Sequence, residues 1–241
     1  MTNALHTCTL RVAAALLVAA ALALTAAHTR AADKPDLANW RQADLYDGWR
    51  ATELIDLPVL GTEGKTLGEV ENILVREDGT ISRIIVEIGG FLDIADLHVG
   101  VPWRQVELAG DMDHVRVPIR EANVADFSLF PETSEVQTQP REWRATELIH
   151  DYVSLEDAGR YGLVSDLIFD RAGTLLAVLV QRAPVYGRPH GPYAYPYPRG
   201  YSGSTRGESP YTLPYTRSEI ERLGPFDTGR LEPRGRGARV N

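Results

Sequence analysis

The sequence predicts an all-β protein: two tandem small β-barrels, each followed by a short helix, with a Pro/Gly/Tyr/Arg-rich segment in and after the second. Three observations predict it. The heptapeptide Trp49-Arg50-Ala51-Thr52-Glu53-Leu54-Ile55 recurs letter for letter as Trp143-Arg144-Ala145-Thr146-Glu147-Leu148-Ile149, a spacing of 143 − 49 = 94 residues. At that spacing 14 of the 55 pairs from Trp49/Trp143 to Trp103/Tyr197 are identical, and a fixed internal period is the mark of a duplicated structural unit. Within each copy, short alternating or β-branched runs are separated by turn dipeptides, the pattern of a hairpin-rich sheet.

The N-terminus comes first in chain order. Arg11 precedes an uncharged Ala/Leu-rich run from Val12 to Ala27, followed by small residues. Residues 1–31 therefore read as a secretory signal peptide. The run is shorter than the ~20 residues that cross a bilayer as a helix, so membrane contact is expected only where this segment stays uncleaved. Export would place the protein in the periplasm or cell envelope. Cys8, the one cysteine, leaves with the signal, so the mature chain has neither a disulfide framework nor a reactive thiol. Residues 32–48 then read as a linker, 49–130 as the first barrel unit, 131–142 as a second linker and 143–226 as the second unit. Residues 227–241 read as a basic disordered tail.

In the first unit, Leu67 to Val75 begins as alternation, Glu77-Asp78-Gly79-Thr80 is turn chemistry, and Ile81 to Ile88 returns as a β-branched run. Leu163 to Phe169, Arg171 to Thr174 and Leu175 to Val180 repeat this. Further strands are expected at Val99–Trp103, Gln105–Leu108 and His114–Val117. Strands this short, in units too small for a sandwich, suggest compact barrels, and closure would also remove exposed edges. Val117-Pro118-Ile119 matches Leu213-Pro214-Tyr215 at a spacing of 96, so two residues are inserted in the second copy. There, about 184–212, the composition turns to Pro, Gly, Tyr, Ser and Arg. The prolines of Tyr193-Ala194-Tyr195-Pro196-Tyr197-Pro198 remove ladder donors, so an edge strand competes with polyproline II or disorder.

Charge is uneven. Asp33 to Ala183 holds 14 Lys+Arg against 28 Asp+Glu, a balance of −14, and Pro184 onward holds 9 Arg against 5 acids, a balance of +4. An acidic body argues against nucleic acid as a partner, because phosphates demand a basic face.

Taken together, Leu54-Ile55, Gly64-Lys65-Thr66-Leu67-Gly68-Glu69-Val70, the Asp78-Gly79 turn, Ile84 to Leu92 and Val99-Gly100-Val101-Pro102-Trp103 resemble the PRC-barrel family, named after the H subunit of the photosynthetic reaction centre. Arg120 to Val124 and Thr216 to Ile220 resemble the short helix that follows the barrel in bacterial members. The resemblance implies two PRC-type β-barrels and a role in interaction or assembly, with no shared catalytic constellation and no cofactor. Independent of it, the sequence has no Gly-x-Ser-x-Gly elbow, phosphate loop, paired-Cys motif or His-Glu-x-x-His.

The candidate partner-binding residues are aromatic or adjacent to aromatics. Trp49 with Arg50 and Trp143 with Arg144 have the composition of interface anchors; alternatively each tryptophan caps the open end of its own barrel. Phe91 and Leu92 either plug a barrel mouth or form a patch. Tyr193, Tyr195 and Tyr197 could stack on a glycan or a partner protein. No metal site is expected; the nearest to one is Asp93, Asp96 and His98, whose spacing fits no named site. The expected function is a non-enzymatic periplasmic or envelope protein-interaction/assembly module with protein partners in the envelope, compatible with a homodimer. The alternative is a ligand-binding or sensor module for a metal or glycan.

Overall fold

The computed structural model of the chain describes residues 34–88, 97–110, 112–120, 123, 127–131, 142–186, 191–198 and 211–231. Each repeated heptapeptide forms the same local structure. Strand β1 (Trp49–Arg50) runs into a single helical turn, α1 (Ala51–Leu54). Glu53 starts the turn by accepting the Arg50 backbone N–H at 3.1 Å, the reciprocal half of a capping box. Asp56 ends the segment in the left-handed region at φ 68°. In the second copy β9 (Glu142–Arg144) leads into α2 (Ala145–Leu148), Glu147 accepts the Arg144 N–H at 3.2 Å, and His150 takes φ 72°.

The first copy continues through β2 (Pro58–Leu60), β3 (Thr66–Arg76), β4 (Ile81–Ile88), β5 (Leu97–Pro102), β6 (Glu107–Leu108), β7 (Val115–Arg116) and β8 (Ser128–Pro131). The second comprises β10 (Tyr152–Leu155), β11 (Arg160–Phe169), β12 (Leu175–Arg182), β13 (Tyr193–Pro196), β14 (Tyr211–Leu213) and the turn α3 (Arg217–Ile220). Sheet order is β5-β4-β3-β2-β7 in one and β13-β12-β11-β10-β14 in the other. In both, the pair at the β7 or β14 end is parallel and the rest are antiparallel. The first sheet adds β6 beyond β7 and β8 beyond β5. Among the described residues each paired path is open at its ends, and each sheet is a curled half-barrel. No helix among the described residues is long and apolar enough to cross a membrane.

The long strands β3 and β11 bulge at matching places, between Val70 and Asn72 and between Val164 and Asp166. A bulge bends its strand and raises the local twist, which is what lets these strands wrap a core. Two positions before each bulge stands a glycine that the neighbouring strand nearly touches. A Cβ on Gly68 would lie 1.8 Å from the Glu87 carbonyl oxygen, and one on Gly162 would lie 2.2 Å from that of Gln181.

The opening segments are exchanged between the copies. β1 pairs with β11 of the second copy (Trp49 opposite Phe169), and β9 pairs with β3 of the first (Trp143 opposite Val75). The hairpin turns also meet: the Ile81 N–H donates to the Gly173 carbonyl at 2.8 Å and the Leu175 N–H to the Gly79 carbonyl at 2.7 Å. Thr80 and Thr174 form a bridge between them. Buried apolar residues of both copies accordingly make one continuous cluster, from Leu54, Ile73 and Ile84 to Leu148, Leu167 and Val178. The 131–142 boundary divides the sequence without dividing the core, and its last residue, Glu142, stands in β9.

Two further expectations are corrected here, and one open alternative is resolved. The expected linker 32–48 is docked on the second copy from Lys34 onward. Leu45 is buried with Ile168, Leu179 and Ala194 on the sheet's outer face, and the Trp40 indole donates to the Ala194 carbonyl at 3.2 Å. That face is apolar and needs a cover, which Leu45 provides with Phe226 and Leu231. The expected disordered tail consequently starts too early, because Thr228–Leu231 is a 3₁₀ turn with Leu231 buried; residues 232–241 lie outside the described residues. In the Tyr/Pro segment, Tyr193–Pro196 is the outermost strand β13, paired with β12, where an edge position tolerates proline.

A cleft at the seam between the two copies

The exchange decides where the repeated tryptophans go. Trp49 is 5 % exposed; its indole N–H donates to the Asp170 carbonyl at 2.8 Å, and its ring stacks on Phe169 at 5.0 Å and on Trp103 at 5.7 Å. Trp143 is 1 % exposed and tilts against Tyr197 at 6.2 Å. Neither is a surface anchor for a separate partner; each packs on an aromatic of its own copy, Trp103 or Tyr197, while its strand pairs with the other copy. Both are corrected to anchors between the copies. Large aromatic faces are well suited to this, since they bury ~150–250 Å² each. Arg50 and Arg144 serve the turns that follow: Arg50 bonds Glu53 at 2.7 Å, and Arg144 lies 3.9 Å from Glu147.

Behind each tryptophan lies a polar contact across the seam. Asn72 donates to the Thr146 hydroxyl at 2.7 Å and accepts the Ile73 N–H at 2.9 Å. At the matching position of the second copy, 72 + 94 = 166, stands Asp166, which accepts both the hydroxyl and the N–H of Thr52 and the Leu167 N–H. Burial raises the Asp166 carboxyl above its ordinary 3.8, against the lowering effect of those donors. The stability such an acid contributes is full below 3.8 and is lost as pH rises through the raised value. Asp166→Asn, which copies the Asn72 arrangement, is therefore expected to keep or raise stability at neutral pH and to remove this acid-side gain. Asp166→Ala should cost about 1–3 kcal/mol by leaving the Thr52 and Leu167 N–H groups unpaired. Urea midpoints measured from pH 4 to 7 distinguish these outcomes.

On the Trp49 side the seam opens into a cleft of about 760 Å³. Its floor is Trp49 and Trp103; one wall is Val106, Leu108 and Met112 of the first copy. Arg171 of the second copy and Arg230 of the C-terminal turn stand at the rim, both exposed. The Arg230 guanidinium lies 3.8 Å from the Tyr46 ring centre, and Tyr46 stacks on Phe226 at 4.9 Å. Neither arginine has an ion-pair partner among the described residues; of the two acids that line the cleft, Glu53 is engaged by Arg50 and Asp47 is exposed. On the opposite side of the seam Glu77 occupies the position matching Arg171, and Tyr197, 5 % exposed, occupies that of Trp103. The two sides of the seam are unlike in charge and in access.

The interiors of the two sheets also differ. Leu67, Ile88, Val99, Val101, Val115 and Ile119 line the first; their counterparts at +94, or at +96 after the insertion, are Tyr161, Arg182, Tyr193, Tyr195, Tyr211 and Tyr215. The Tyr161 and Tyr195 hydroxyls bond each other, and Arg182 lies 3.3 Å from the Tyr193 ring centre while donating to the Tyr195 hydroxyl at 3.2 Å and the Ile220 carbonyl at 3.0 Å. Burial pushes the Tyr161, Tyr195 and Tyr215 hydroxyls above their ordinary range, so they stay protonated and act as hydrogen-bonding core residues. Tyr193, Tyr195 and Tyr197 are 7 %, 0 % and 5 % exposed, which corrects their assignment as a stacking surface.

His98, on β5, lies 3.8 Å from Glu71, and no group of three or more His, Cys, Asp or Glu that could hold a metal is found among the described residues. Phe91, Leu92, Asp93 and Asp96 lie outside the described residues. The exposed pair Tyr152 and Leu163, opposite each other on β10 and β11 with Arg160 over the Tyr152 ring at 3.8 Å, was not singled out by the sequence pattern. The cleft residues Arg171, Arg230 and Met112 also carried no signal, since none belongs to a motif. A position-by-position comparison of the copies would have exposed Arg171 and the tyrosines, because that is where the two differ in chemistry.

Residues 47–122 match the model of the PRC-barrel domain. None of the curated proteins compared matches the chain.

Proposed function

From the PRC-barrel domain that the chain carries over residues 47–122, we propose that the protein is a non-catalytic interaction module of the periplasm or cell envelope, exported by its N-terminal signal. It holds a protein partner in the seam cleft and uses neither a cofactor nor nucleic acid. The observation that carries this reading is the cleft itself. Both copies build it, it lies within the ~300–1,000 Å³ typical of ligand sites, and it combines an aromatic floor, an apolar wall and two rim arginines. Aromatic and arginine side chains around a partly dry centre are the composition of binding hot spots. The Tyr161–Tyr195–Arg182 cluster supports a structural role for the second interior, because its polar groups bond one another.

Photocrosslinking in the producing cell tests this. A photoreactive side chain at Met112, inside the cleft, is expected to trap one discrete adduct, with the processed chain in the periplasmic or envelope fraction. The same group at Glu63, exposed and away from the cleft, is expected to trap none. Absence of any discrete adduct from Met112, Leu108 and a panel of other exposed positions would overturn the reading.

A further inference from the structure

Resting on that reading, the cleft also specifies the chemistry of its occupant. Three features act together. First, the charge at the rim leans positive: Arg171 and Arg230 face the cleft without ion-pair partners among the described residues, against one exposed carboxylate, Asp47, while Glu53 is already neutralised at 2.7 Å by Arg50. The charge is local, since the described body as a whole is acidic, so the preference is set at the cleft and not by the overall field. Second, Val106, Leu108 and Met112 are half-buried apolar side chains facing the same space as Trp103. A thioether beside an indole adapts its shape to an inserted apolar group. Third, the cleft is bounded by two short strands, β1 and β6, each paired along one side only among the described residues. Such edges favour an extended chain as the bound form.

We propose that the seam cleft binds an extended acidic peptide segment of a partner protein, with one aromatic or long aliphatic side chain set against Leu108, Met112 and Trp103 and flanking carboxylates on Arg171 and Arg230. A guanidinium matches a carboxylate with paired N–H donors, so arginine at both rim positions selects for that group. Lysine-rich segments are disfavoured by the same two cations.

Fluorescence anisotropy on the full chain provides the test. The probe is the labelled peptide Glu-Glu-Ser-Glu-Phe-Glu-Ser-Glu-Glu; one control replaces each Glu with Lys and another replaces Phe with Ala. The acidic phenylalanine peptide is expected to bind at least about tenfold more tightly than either control, a ratio worth about 1.4 kcal/mol. The double variant Arg171→Glu/Arg230→Glu should lose about tenfold or more in affinity while the chain stays folded, because both side chains are exposed and, among the described residues, only the weak Arg230–Tyr46 contact is given up. Leu108→Arg should abolish binding by filling the cleft, and the Tyr152→Ala variant, outside it, should bind as the parent does. Equal binding of the acidic and lysyl peptides, no binding of any peptide, or an affinity indifferent to the double reversal would overturn the inference. Adducts from Met112 combined with any of those results would leave the interaction reading standing and remove the acidic-peptide chemistry. No adduct from any position would remove the reading itself.

Discussion

Trp143→Ala is expected to destabilise the whole chain by about 3–5 kcal/mol, the range for deleting a fully buried large aromatic. The reason is its place in the fold. Trp143 belongs to the second copy by sequence, but its strand is paired to Val75 of the first, and its ring, 1 % exposed, sits in the cluster common to both. Removing it opens a cavity where Val75 and Tyr197 meet the exchanged segment, and neither sheet can refill it alone. Urea unfolding followed by circular dichroism should show one transition at a lower midpoint with an unchanged slope. Two separated transitions would mean that the copies unfold independently and that the continuous core does not couple them.

A single methyl group should do comparable harm at two other positions. Gly68→Ala places a carbon 1.8 Å from the Glu87 carbonyl oxygen, and Gly162→Ala places one 2.2 Å from that of Gln181. The obstruction is backbone on the adjacent strand, so it is relieved only by pulling apart β3 and β4, or β11 and β12, beside the bulge that bends them. Overpacking typically costs 1–3 kcal/mol and sometimes more; the closeness of a rigid atom places both variants at about 3 kcal/mol or above. Gly79→Ala is the internal comparison. Its φ of 84° is unfavourable for alanine, but the nearest atom is a Tyr197 ring carbon at 3.1 Å, so about 1 kcal/mol is expected from backbone preference alone. Thermal melts of the three variants should rank Gly68 and Gly162 well below Gly79.

What the sequence disclosed and what it hid follow from which forces leave a local trace. The strands did: Leu67 to Val75 and Ile81 to Ile88 fall within β3 and β4, and Asp78-Gly79 is the turn between them, because period-two burial and left-handed turn positions are written into neighbouring residues. The exchange left none. Trp49-Arg50 pairs with Phe169 and Ile168, more than a hundred residues away, and an identical heptapeptide satisfies its own sheet or its neighbour's equally well on paper. Hence sequence alone offers the tryptophans only a surface or their own barrel. The Tyr193–Tyr197 stretch stays open between an edge strand and polyproline II on local grounds alone: its prolines signal loss of ladder donors, and only the sheet shows that the loss falls at an outer edge, where fewer partners are waiting. Leu45 and Leu231 sit in short polar surroundings that give no periodicity, and only the apolar outer face of β11 and β12 explains their burial. Arg171 and Arg230 meet at the cleft from distant parts of the chain, a proximity created by tertiary structure alone.

The swapped opening ribbons bear on how such a molecule could arise and be taken apart. A single copy on its own would offer its opening ribbon no second copy's long strand to pair with, so the fused chain supplies within one polypeptide what two separate copies would have to trade. The two halves are nevertheless unlike inside, one interior rich in tyrosine and the other aliphatic. Proteolytic nicking between residues 131 and 142 would then yield two fragments that remain clasped as a heterodimer, each holding the other's first strand.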